Sequence, residues 1–304
     1  MNQHVPVLRD QVLEQLAIRA DGLYVDCSFG RGGHSAAILA RLGAQGRLLA
    51  LDRDPTAVQA ARQLAEGDAR LYPAHARFSQ LAEVLQREFP GRPADGILAD
   101  LGVSSPQLDD PQRGVSFSQP GPLDMRMDPG SGESAADWIN RATEREIAGV
   151  LKRLGEEPQG RRIAAAICRQ RPLNTTAELA ELIVATKSDK PSRRHPATRS
   201  FQAIRMHING ELDELDALLE QSLKMLSSGG RLCVISFHSL EDRRVKRFLR
   251  NHSRVDPALS RLPVVPESAR PLMRLPTRAI RPDQHETKAN PRARSASLRV
   301  GERL

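Results

Sequence analysis

The stretch that decides the fold is Asp26–Ser35, DCSFGRGGHS. It follows Leu23-Tyr24-Val25, an apolar run of strand character, and precedes AAILARL at 36–42, which has helical periodicity. Gly30, Gly32 and Gly33 at such a junction let the backbone take positive φ and approach a ligand closely. The free N–H groups of the helix's first turn then attract an anionic group. A merely tight turn is the competing reading, and the surrounding sequence decides between them.

Outward from this junction, apolar runs and helical patterns keep alternating: GRLLALD, PTAVQAARQLA, FSQLAEVLQREF and DGILADLG. This is the pattern of an α/β protein with a mostly parallel sheet and helices on both faces. The alternation breaks at Pro106. A turn-rich segment, SSPQLDDPQRGVSFSQPGPLDMRMDPGSGES, leads into helical patterns such as EREIAGVLKRL and TAELAELIVATK. The alternation resumes with ELDELDALLEQSLKML, a helix expected to end at Ser-Ser-Gly-Gly, and with the apolar strand RLCVISF. We therefore expect a discontinuous sheet domain, 1–105 and 204–304, carrying a mainly helical inserted domain, 106–203, between the fourth and fifth strands. An insert at a strand's carboxyl end lies beside the ligand crevice of an open sheet. The tail has many prolines and weak periodicity before SASLRVGERL, which reads as a final strand.

Composition narrows the function classes. Cys27, Cys168 and Cys233 are widely separated, which argues for a reducing compartment and against a cysteine zinc site. No cluster of metal ligands stands out, and no stretch approaches the roughly 18 apolar residues of a membrane span. The expectation is a soluble, cytoplasmic protein. The net charge of +8 favours a polyanionic partner. Six basic residues against one acid fall between Lys187 and Arg205, and nine against three between Arg261 and Val300. Aromatics make up only 3%, which argues against a base-stacking platform of the single-strand-binding kind, and arginine would do most of the holding.

Two cofactors compete for the glycine turn. A dinucleotide fingerprint, G-x-G-x-x-G counted from Gly30, puts its third glycine on Ser35 and fails there. S-adenosylmethionine suits an acid ahead of G-x-G, here Asp26 before Gly30 and Gly32. Its ammonium seeks a carboxylate and its own carboxylate seeks backbone N–H groups. Asp52 lies about twenty residues past the glycines, where an acid accepts ribose hydroxyls for either cofactor. Asp54, ahead of Pro55, is the better helix cap. Asp100 ends the fourth strand and is followed by Ser104-Ser105-Pro106-Gln107, a variant of the polar-Pro motif with which amino-methyltransferases hold an exocyclic amine.

Taken together, HVPVL, FGRGGHS, LDRDP, DGILADLGVSSPQLDDPQRGVSF, GPLDMRMD, RRHPATRSFQAIR, GGRLCVISFHSLEDRRVKRF and NPRARSASLRV closely resemble the bacterial 16S ribosomal RNA cytosine-N(4) methyltransferases, the RsmH (MraW) family. The departures are Ser28, where threonine is usual, and Val115, where an aromatic often follows Arg-Gly; neither is expected to touch the chemistry. The resemblance implies a Rossmann-like methyltransferase fold. It also implies transfer of methyl from S-adenosylmethionine to the exocyclic amine of one cytosine in the decoding region of the small ribosomal subunit. It places cofactor contacts on Gly32, Gly33, His34, Asp52, Asp100, Gln107 and on Phe78, which would pack near the adenine. The residue reading adds Asp26 and Gly30.

For catalysis we expect Asp100, Ser105 and the Pro106 carbonyl to orient the amine, with His238 in SFHSLEDRR as a second proton-shuttling candidate. Asp124 and Asp128 in LDMRMD are either a closing segment or a solvated loop; Met125 and Met127 read as packing. For RNA we expect Arg193, Arg194, His195 and Arg199 in the insert, and Arg292 and Arg294 near the tail. Oligomeric state is not decided by the sequence, which is compatible with a homodimer. Two alternatives stay open at this point: a non-catalytic ribosome-assembly factor retaining the cofactor pocket, and a nicotinamide-dependent oxidoreductase.

Overall fold

The structure, a computed structural model, describes residues 6–187, 195–255 and 266–304. The chain opens with α1 (Arg9–Leu16), β1 (Leu23–Asp26), α2 (Gly33–Leu39), β2 (Arg47–Asp52), α3 (Pro55–Glu66), β3 (Leu71–His75), α4 (Leu81–Glu88) and β4 (Ala94–Asp100). Six helices follow: α5 (Ser105–Asp109), α6 (Ala135–Arg141), α7 (Glu144–Gly155), α8 (Gly160–Gln170), α9 (Thr176–Thr186) and α10 (Thr198–Ile208). Then come α11 (Glu211–Met225), β5 (Leu226–Ser236), α12 (Ser239–His252), β6 (Met273–Arg274), α13 (Gln284–Ala289) and β7 (Ser297–Arg303). The chain divides into two compact units, Met1–Gly102 with Asp213–Leu304, and Val103–Leu212.

The first unit is built on a seven-stranded sheet of order β3-β2-β1-β4-β5-β7-β6. The pairings from β3 across to β5 are parallel, and β7 runs antiparallel to both β5 and β6. Successive strand residues point to opposite faces. Leu23, Val25, Leu49, Leu51, Ile97, Ala99, Leu232 and Val234 face a layer with apolar residues of α4, α11 and α12. Tyr24, Leu48, Ala50, Leu98, Cys233 and Ile235 face the opposite layer, with α1, α2 and α3. Both faces are covered, which is why these strands read as continuous apolar runs rather than alternating ones. Asp54 caps α3 by accepting the Thr56 N–H at 3.0 Å, ahead of Pro55 in the first turn. β5 begins directly after α11 and takes in Ser227–Gly230, with a register shift against Ala94 and Gly96, so those four residues are not the free turn their composition predicts.

The second unit has its own core of Leu123, Met125, Trp138, Ile147, Leu151, Ile163, Leu179, Phe201 and neighbouring residues. Its helices start where short polar residues can close the first turn. Ser134 with Asp137, Thr143 with Glu146 and Thr175 with Glu178 form reciprocal capping boxes at α6, α7 and α9. Met125 is fully buried with φ 63°, a left-handed conformation that is rare for a methionine. Asn209 holds it there, donating to the Met125 carbonyl and accepting the Met127 N–H, each at 2.8 Å. Among the described residues no helix is long and apolar enough to cross a membrane.

Candidate active site

Asp26, Asp52 and Asp100 are the last residues of the parallel strands β1, β2 and β4, so the sheet itself delivers three carboxylates to one rim. Asp26 is fully buried. It accepts the Ser28 N–H at 3.0 Å and the Ser35 hydroxyl at 2.7 Å. Burial raises its carboxyl pKa, a rise that His34, Ser35 and the Ser28 N–H hold back. Ser35, the residue that breaks the dinucleotide fingerprint, therefore ties the start of α2 to the end of β1.

The glycine turn is fastened to the next strand. Gly30, at φ 54°, donates its N–H to Asp52 Oδ2 at 2.8 Å, and Asp52 Oδ1 accepts the Asp54 N–H at 2.8 Å. Burial pushes the Asp52 carboxyl up to about 6 even though both backbone donors pull it down. Gly32 caps α2 at φ 75°, and a Cβ there would fall 2.6 Å from Phe29 Cζ. Both its backbone conformation and the space around it exclude a side chain. Gly33 is the first residue of α2 and His34 the second.

His34 is only 5% exposed, with Nε2 3.6 Å from Asp100 Oδ2, beyond hydrogen-bond length. Burial alone would lower its pKa, but Asp100, Asp26 and the Val7 backbone outweigh that and raise it. Among the described residues, its two ring nitrogens and Asp100 Oδ1 are buried without a well-formed hydrogen bond. Buried polar atoms of this kind normally find a partner. The Asp100 N–H donates to Ser28 Oγ at 2.6 Å. The Ser28 hydroxyl thus fixes the backbone of Asp100, as an acceptor that a threonine hydroxyl could equally provide.

Phe78 follows β3 and packs, partly buried, against the layer containing α4 and α11. His238 caps α12 through Nδ1, which accepts the Glu241 N–H at 3.5 Å. Its Nε2 lies 3.0 Å from Glu241 Oε1, out of line for a hydrogen bond. Glu241, which the sequence reading passed over, is buried and accepts the Phe237 N–H at 2.9 Å. The signal was present as a capping box, His238-x-x-Glu241. Arg292 and Arg294 sit exposed on a short helical turn before β7.

The remaining expected site residues belong to the second unit. Ser105 and Pro106 open α5, and the buried Gln107 accepts the Ser104 N–H at 2.9 Å as part of a capping box. Asp124 is committed to Arg126 by two contacts of 2.8 and 2.6 Å. Against the effect of burial, that guanidinium holds its carboxyl below the usual range. Asp128 accepts the Gly130 N–H at 2.9 Å. His195 stacks on Phe117 with centroids 4.5 Å apart, and Arg199 donates to the Glu156 carbonyl at 3.2 Å. Arg193 and Arg194 lie outside the described residues.

Comparison with known proteins places the chain in a family. A model of the MraW methylase family matches residues 1–304. The chain belongs to the MraW methylase family. It is 50% identical over 308 residues to the "Ribosomal RNA small subunit methyltransferase H" of Alcanivorax borkumensis, covering 99% of this chain and 97% of that protein. It is 54% identical over 306 residues to the protein of the same name from Thioalkalivibrio sulfidiphilus, with the same coverage. A solved rRNA methylase from Streptococcus thermophilus aligns over 97% of this chain and 93% of its own at 12% identity, with a TM-score of 0.44. Membership sets aside the nicotinamide and non-catalytic readings: the chain is an S-adenosylmethionine-dependent methyltransferase. The rim of this methylase fits that co-substrate. Carboxylates suit its ammonium and ribose hydroxyls, the glycine turn gives close backbone approach, and the unsatisfied atoms of His34 and Asp100 offer polar partners.

Proposed function

We propose that this methylase modifies the exocyclic N(4) amine of one cytosine in the decoding region of 16S ribosomal RNA. The observation that carries the reading is the Asp100 carboxylate beside His34, at the end of β4, where the Asp100 N–H is fixed by Ser28 Oγ, with one buried carboxylate oxygen that has no hydrogen-bond partner among the described residues. S-adenosylmethionine supplies an electrophilic methyl on a positively charged sulfur. The lone pair of a cytosine amine is delocalised into the ring, so the amine is a weak nucleophile. Asp100 accepts one amine N–H, which drives the nitrogen toward tetrahedral geometry and frees its lone pair. As the N–C bond forms and the C–S bond breaks, the surplus amine proton passes to Asp100 or to water. Positioning and electrostatics at a fixed rim carry the rate, without a covalent enzyme intermediate. Incubating the protein with labelled S-adenosylmethionine and small subunits lacking the modification, followed by nucleotide mapping by mass spectrometry, is expected to find methyl on a cytosine N(4). No incorporation removes the proposal; methyl on a carbon or a hydroxyl replaces its chemistry.

In the same reading Asp52 accepts the ribose hydroxyls. A carboxylate has about four lone-pair sites, and backbone N–H groups take two here, which leaves two for the ribose. Only the ionised form can accept through all of them. Since its pKa is about 6, S-adenosylhomocysteine affinity is expected to be level above pH 7 and to fall as pH drops through 6, by up to about tenfold per unit. Calorimetric titration across pH 5–8 checks this. Asp52→Asn should bind more weakly at high pH and show a flat profile; a sloping profile in that variant would assign the titration to another group.

A further inference from the structure

We infer that a basic cleft beside β7 binds phosphates of the RNA backbone, at a place apart from the strand-end rim. The inference rests on the RNA substrate proposed above. The cleft, about 480 Å³, is formed by α12, the segment 275–279 and β7. Lys246, Arg250, Arg254, Arg278 and Arg299 line it, with no acidic and no aromatic side chain among the described lining residues. Arg299 is held by Asp242 through contacts of 2.7 and 2.9 Å. The other four form no ion pair or side-chain hydrogen bond among the described residues.

Lys246, Arg250 and Arg254 recur at intervals of four along and just past α12, so they form one stripe spanning about 12 Å. Like charges in such a stripe repel, and a polyanion relieves that repulsion. With five basic side chains and no aromatic among the described lining residues, the cleft favours phosphate over base as the ligand chemistry. The length of the stripe, with Arg278 facing it from another wall, suits successive phosphates of a polymer better than a single free anion. The strand register locates the cleft. Arg299 pairs with Val234, the residue before Ile235, and Ile235 pairs with Asp100. One end of the cleft is thus two strand spacings, about 10 Å, from the end of β4. An RNA strand following α12 would place its phosphates here while a base reaches the rim.

The test uses the full chain with Arg250→Ala, Arg254→Ala and Arg278→Ala combined, all three residues being exposed. Binding of a fluorescent single-stranded RNA is read by anisotropy over a salt series, and inorganic phosphate is titrated separately. The triple variant should bind RNA at least about tenfold more weakly at low salt. Its plot of log affinity against log salt should be shallower by about 2, from roughly 0.7 per lost phosphate contact. The corresponding triple lysine variant should restore the slope, and S-adenosylhomocysteine affinity should be unchanged in both. Unchanged RNA affinity and slope overturn the proposal. So does a variant that loses inorganic phosphate but not RNA, since the cleft would then serve a free anion. The readout is binding, so absent methyl transfer by the wild-type protein would count against the proposed function alone.

Discussion

Asp100→Asn is expected to lower kcat for methyl transfer by about 100- to 1000-fold, the usual scale for removing one positioned polar group from a reacting centre. The amide preserves size, and the bond from the Asp100 N–H to Ser28 Oγ is made by the backbone, so the end of β4 should stay in place. What changes is charge. An amide oxygen is a weaker acceptor for the amine N–H and cannot take its proton. The substitution also has a signature independent of turnover. Asp100 is the main influence raising the His34 pKa against the effect of burial, so without it the imidazole pKa should drop. Histidine titration by NMR reads that shift, and single-turnover kinetics reads the rate. A variant that transfers methyl at the wild-type rate would leave the mechanism without its acceptor.

Lys187→Met is expected to destabilise the second unit by about 3–5 kcal/mol, because it strands a buried carboxylate. Lys187 Nζ lies 2.9 Å from Glu157 Oε2, with side-chain exposures of 8% and 0%. The ammonium also donates to the Pro196 carbonyl at 3.1 Å. Once it is gone, Glu157 keeps, among the described residues, only a 3.2 Å contact from the Gln159 N–H. Trp138, the sole tryptophan, is buried in this unit's core, so its fluorescence in a urea titration reports this unit. Lys187→Met with Glu157→Leu should recover most of the loss, since replacing both partners removes the stranded charge. A loss under about 1 kcal/mol in the single variant would mean that water reaches Glu157.

The same lysine shows where sequence reading reaches its limit. In the sequence Lys187 opens a basic run and counts toward an RNA footprint, whereas in the fold it is a buried ion-pair partner. Charge runs report composition, and only packing decides which members face solvent. The central strands were legible because their two covered faces leave unbroken apolar runs. β3, LYPAH, could be counted from the alternation but not delimited, because Pro73 argues against a strand; it is tolerated since β3 is the sheet's edge. β6 spans only Met273–Arg274 and has no pattern of its own. At the rim, the three acids could be placed from strand ends alone. The tasks of Ser28 and Ser35 could not, because they depend on hydrogen bonds between residues of different elements. The basic cleft escaped for a similar reason: Arg250 lies on a helix that reads as ordinary and Arg254 just past its end, and Arg199, Arg292 and Arg294 do not line the cleft.

The three carboxylates on the rim have a consequence for the shape of the substrate's approach. In a chain with 45 lysines and arginines against 37 acids, the parallel strands concentrate Asp26, Asp52 and Asp100 at one edge. Ionised carboxylates at that edge would disfavour phosphate, whereas the excess of basic residues elsewhere in the chain would favour it, a division that works as an electrostatic sieve. A neutral base, swung away from its own backbone, approaches the carboxylates without penalty, whereas a base lying flush with its phosphates does not. On the function proposed above, the sheet's termini would therefore favour a nucleotide extruded from its backbone over one whose phosphates lie against the rim.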